Sequence, residues 1–136
     1  MTPSPTHFEQ LLQAAAAQPE PQRLLFVFAA AELPGDASPA QRERFAAGRG
    51  GALVPLACVD KDPADLTRFE ALVAESRQAS PPWQAVFIAG LPGQAGRPPS
   101  APGIDSALQA MVENVRLGRF AGYLALDPDG APLTFS

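Results

Sequence analysis

The chain is poor in the residues that most often do chemistry. It holds one cysteine, Cys58, one histidine, His7, and one lysine, Lys61. A single cysteine excludes an intramolecular disulfide framework and any multi-cysteine zinc site. A single histidine, in the N-terminal region, leaves no Ser-His-Asp arrangement and no metal site beyond scattered carboxylates. Basic residues are few: the arginines are scattered singly and the net charge is −4. Duplex nucleic acid is therefore not an expected partner, because its affinity comes from phosphate neutralisation. An anionic membrane surface is excluded on the same ground. Aromatics paired for base stacking are missing, since the phenylalanines fall on core positions of helices and strands. Long apolar runs are missing too. The longest, Leu24–Ala31, falls far short of the roughly 20 residues a membrane span needs. The N-terminus has no basic stretch, and Gln10, Gln13 and Gln18 interrupt its apolar residues, so it does not read as a signal peptide. The expected location is the cytoplasm.

What is present suits one folded unit. A length of 136 residues is that of one domain, which buries roughly two-thirds of its unfolded surface. A hydrophobic share of 46% is near the globular average and argues against wholesale disorder. Proline and glycine cluster at the N-terminus, around 34–39, at 81–82 and over 90–103, which marks loops. Arginine in excess of lysine, with abundant alanine, fits a GC-rich bacterial genome.

Residues 1–5 read as a loose end before a single domain. Thr6 and Glu9 form a capping box, and Phe8, Leu11, Leu12, Ala15 and Ala16 make one helix face, ended by Pro19 and Pro21. Arg23–Ala31 is a continuous apolar run that predicts a strand buried on both faces. A turn follows at Leu33 to Asp36. Ser38, Pro39 and Gln41 signal a short helix through Phe45–Ala47, closed by Gly48–Gly51. Ala52–Val59 predicts a second strand, with Pro55 at a bulge or an unpaired side and Leu56–Val59 as its regular part. Asp62 and Pro63 open a helix with Leu66, Phe69, Leu72 and Val73 inside. Pro81-Pro82 precede Trp83, and Ala85–Ala89 is a third strand. A loop over 90–104 leads to a helix opened by Asp105 or Ser106, with Leu108, Met111, Val112 and Val115 at core spacing and Gly118 as its cap. Tyr123–Leu126 and Ala131–Phe135 flank Asp127-Pro128-Asp129-Gly130 as a hairpin, with Pro132 marking an edge.

The order α-β-(short α)-β-α-β-α-β-β predicts an α/β fold. It should have a mixed sheet of about five strands and three main helices. The first three strands should be parallel, joined by helical crossovers, with an antiparallel C-terminal hairpin.

Three features are candidates for chemistry. Cys58 lies in an apolar strand with no basic neighbour in sequence, which predicts a buried and quiet thiol. Gly90-x-x-Gly93-x-x-Gly96 with Arg97 follows a strand, where phosphate-binding loops occur, but lacks the Walker and Gly-x-Gly-x-x-Gly patterns. Asp60, Lys61 and Asp62 close the second strand. Parallel strands would gather Glu32, Asp60, Lys61, Gly90, Gly93 and Arg97 at one carboxyl edge. The helix start after Asp62 would add its dipole there, as an anion or small-molecule site.

The stretches from Glu20 to Pro34 and from Gly50 to Lys61 resemble a group of short, uncharacterised bacterial proteins, over most of the chain. Some of these are labelled ribonucleotide reductase subunit alpha. That reductase needs a radical cysteine and a reducing cysteine pair on a chain several times longer. One cysteine cannot supply them, so the resemblance implies a group and no catalytic residue. The leading expectation is a non-catalytic binding or regulatory module, with a protein or small-molecule partner and no cofactor; a homodimer is compatible with it. The alternative is a small-molecule or anion-binding α/β domain, enzymatic or not, working at the Asp60-Lys61 and 90–97 edge.

Overall fold

The computed structural model describes residues 6–32, 36–46, 52–66 and 68–133. Helix α1 (His7–Ala16) leads into strand β1 (Gln22–Glu32), helix α2 (Pro39–Ala46) and strand β2 (Ala52–Lys61). A 3-10 turn (Pro63–Asp65), helix α3 (Phe69–Ala79), strand β3 (Ala85–Pro92), helix α4 (Ala101–Arg116) and strand β4 (Leu124–Leu126) follow. The strands form one sheet in the order β2-β1-β3-β4. Every pairing is antiparallel.

The central strand shows why the sheet has a helix layer on each side. Leu24 to Ala29 are all buried, and a strand alternates its side chains between faces. Leu24, Phe26 and Phe28 pack with Phe8 of α1 and with Phe69, Leu72 and Val73 of α3. Leu25, Val27 and Ala29 pack with Leu108, Met111 and Val115 of α4. Covering both faces of β1 accounts for its unbroken apolar run. Burial of each large side chain contributes on the order of 2 kcal/mol.

The helix starts follow their capping chemistry. Thr6 accepts the Glu9 N–H at 3.1 Å. Ser38 accepts the Gln41 N–H at 3.2 Å while the Gln41 side chain accepts the Ser38 N–H at 2.8 Å, a reciprocal box. Gly118 sits at φ +75°, the left-handed position that closes α4. Pro55 falls where the β1–β2 register shifts, between Phe28 and Ala29. It is thus both at a bulge and on a strand with one neighbour, the two places a missing N–H is tolerated.

Four expectations are corrected. The first three strands are not parallel neighbours. β2 and β3 do run in the same direction, linked by α3, but β1 lies between them and opposes both. The error lies at α2, which is an excursion within a β1–β2 connection and not a crossover. A crossover helix needs an apolar stripe to lie on the sheet, and the α2 sequence holds a single large apolar residue, Phe45. Second, among the described residues the expected fifth strand is reduced to a bridge between Leu126 and Pro132. Third, the helix expected from Pro63 is divided, because the backbone is extended at Leu66 and Arg68. Fourth, α4 begins at Ala101 and not at Asp105: Ser100 caps it and Pro102 fits its first turn, where a backbone N–H has no helical partner to lose. The loose end at 1–5, the turn at 33–35, the glycines at 48–51 and the last residues of the hairpin lie outside the described residues. Among the described residues, no helix is long and apolar enough to cross a membrane.

Candidate functional site

Antiparallel pairing divides the residues expected at one edge. Asp60 lies opposite Leu25, Lys61 opposite Leu24, and Gly90 also opposite Leu24. These ends of β2 and β3 share the edge where β1 begins. Glu32 lies opposite Ala52, at the far end of β1. Eight strand steps separate it from Leu24, roughly 26 Å.

The charges at the shared edge are already matched. Arg23 Nε donates to Asp60 Oδ2 at 2.7 Å, and Lys61 Nζ donates to Glu75 Oε1 at 2.5 Å. The glycine loop is a tight turn and not an open cradle. Gln94 and Arg97 exchange backbone hydrogen bonds at 3.0 and 2.9 Å. Ala95 and Gly96 between them have φ of +52° and +75°, the signature of a two-residue hairpin turn. Gly93 donates its N–H to Pro21 O at 2.8 Å, and Gly96 donates its N–H to the Glu20 carboxylate at 2.8 Å. An internal carboxylate thus takes the backbone donor that an anion would need, while Arg97 stays exposed. The Asp62 carboxylate accepts the Ala64 N–H at 2.9 Å, and only a three-residue 3-10 turn follows, so no helix dipole stands there. Arg23, Glu75 and Glu20 were not singled out from the sequence. Arg23 and Asp60 come together only through the antiparallel pairing of β1 with β2, which no local sequence signal gives.

Cys58 is exposed, contrary to expectation. The apolar strand around Cys58 predicts a buried core residue. β2 is instead an outer strand, and Leu53 is its residue packed against the cluster on the α4 side.

The two edges of the sheet differ. Beyond β4, Leu133 donates its N–H to Ala125 O at 2.8 Å and Asp127 donates to Ala131 O at 2.9 Å. The C-terminal arm thus occupies that edge. Among the described residues, the backbone of β2 is bonded to β1 alone. Its Ala52–Val59 section carries no charged side chain, although natural edges usually carry charge, proline or a bulge. Pro55 and its bulge protect the first half of the strand, and Asp60 and Lys61 stand at its last two positions, which leaves Ala57–Val59 without such a device. Between β2 and the second half of α3 lies a groove of about 140 Å³, walled by Phe28, Ala57, Val59, Leu72 and Ala79, with Glu75 among its few polar groups. Among the described residues, no group of histidine, cysteine, aspartate and glutamate could hold a metal ion. No protein-family model, curated protein or solved structure matches the chain.

Proposed function

We propose that this protein is a non-catalytic binding module and that its working surface is the free edge of β2 with the groove beside it. The observation that carries the reading is the contrast between the edges: one is closed by the chain's own arm, while the other, among the described residues, is paired on one side only, uncharged at its centre and flanked by an apolar groove. An open strand offers a row of unpaired N–H and C=O groups, and a neighbouring helix groove gives side-chain selectivity; strand addition uses both. The anion-site alternative has less support, because Lys61, Asp60 and the backbone of the 93–97 turn are engaged inside the chain. The likeness to short bacterial proteins assigns no residue role to either surface.

The test is a selection from a displayed library of random peptides, with binders mapped by amide chemical shifts. The reading expects shifts along Ala57–Lys61 and Leu72–Ser80. Binders centred on the 93–97 turn would overturn it, as would a response to phosphate or nucleotides that is lost in Lys61→Ala.

A further inference from the structure

Resting on that reading, we infer that the occupant is a short extended segment of another protein, added to β2 as a fifth strand, with one aliphatic side chain in the groove under α3. The usable edge is short. The register shift removes the section around Leu56, and Pro55 has no N–H to offer. Regular pairing therefore runs from Ala57 to Lys61, five residues, or roughly 16 Å. On the α3 side of this section, Ala57 and Val59 pack partly buried against the core. A strand placed ~4.8 Å outside β2 carries side chains to the same side at every second residue. One opposite Ala57–Val59 enters the groove.

The groove's size and chemistry fix what enters. At about 140 Å³ it matches the volume of an apolar cavity that takes a benzene-sized group. It accommodates one valine, leucine or isoleucine side chain. A charged side chain would find no free counter-charge, since Glu75 is held by Lys61 and Asp60 by Arg23.

Area argues for a segment over a second copy of this chain. A strip ~16 Å long and ~10 Å deep, from sheet to helix layer, covers on the order of 200 Å². A stable interface takes about 800 Å² from each partner. A second copy would have to find the remainder on the outer face of α3. There Glu70, Glu75, Arg77 and Gln78 are exposed, and charged residues are depleted from interface centres.

The experiment uses the full chain and the random heptapeptide library. The expected consensus has one fixed aliphatic position. N-methylation at alternate residues of the best binder should weaken binding about tenfold, the loss of one hydrogen bond, with little effect at the residues between. Ala79→Phe, which fills the groove from an exposed position, should weaken binding at least as much while circular dichroism and thermal unfolding stay unchanged. Shifts along β2 without an aliphatic consensus, and unaltered in Ala79→Phe, would overturn the inference and leave the edge reading standing. Insensitivity to N-methylation would overturn strand addition. A stable dimer by sedimentation with β2 protected would give the edge to a second copy and overturn it. An empty selection from a monomeric protein would remove both the inference and the reading under it.

Discussion

Trp83 donates its indole N–H to the Ser76 hydroxyl oxygen at 2.8 Å, and that hydroxyl donates onward to the Val73 carbonyl at 2.7 Å. Both side chains are buried. The relay ties the entry to β3 to the helix that walls the groove, and the Trp83 ring packs on Phe28 with centroids 5.0 Å apart. Ser76→Ala leaves the indole N–H buried without an acceptor, which costs about 1–3 kcal/mol. In a Trp83→Phe background the same substitution should cost clearly less, because no donor is stranded. Urea unfolding followed by circular dichroism gives both values, and their difference is the coupling. Equal costs in the two backgrounds would show that the relay contributes nothing.

The turn at 93–97 separates two glycines by mechanism. A Cβ on Gly93 would stand 1.8 Å from Arg97 O, inside a backbone hydrogen bond, so the turn must open. A Cβ on Gly96 meets nothing within 4 Å, and its φ of +75° alone is unfavourable, by roughly 1–2 kcal/mol. Gly93→Ala should therefore destabilise well beyond Gly96→Ala in equilibrium unfolding. Gly93→Ala should also abolish hydrogen-exchange protection at the Gln94 and Arg97 amides.

Much of the fold is legible in the sequence because its signals are local. Thr6 with Glu9, Ser38 with Gln41, and Gly118 each act within one helical turn. The bulge at Pro55 follows from a missing N–H. The direction of β1 relative to β2 is a non-local property, and the one sequence clue to it was negative: α2 lacks a face to bury. The same gap hid the site. Asp60 and Lys61 read as available charges until pairing set Arg23 and Glu75 beside them. Cys58 read as buried because apolar composition reports burial without saying which side of a strand is left open.

Exposure of Cys58 corrects the expectation of a buried thiol. A thiol reagent should label the native protein without global unfolding, at a rate that does not follow the denaturant dependence of unfolding. A bound strand along Ala57–Lys61 should slow the labelling. Native labelling that occurs only through unfolding would mean that Cys58 is covered.

The Arg23–Asp60 pair should matter little for stability. Both side chains are about one-third exposed, at 33% and 29%. Partly exposed pairs of this kind contribute ~0–1 kcal/mol. Asp60→Asn should shift the unfolding midpoint only slightly, and less at high salt. A large loss would show that the pair is a structural requirement of the edge.

The free edge of β2 is the central claim, and residue-resolved hydrogen exchange of the unliganded protein tests it most directly. A strand paired on one side bonds every second amide. Exchange along Ala57–Lys61 should therefore alternate between fast and slow, while Leu24–Ala29 of β1, paired on both sides, is slow throughout. Uniformly slow exchange along Ala57–Lys61 would show that the edge is already covered and would contradict the account.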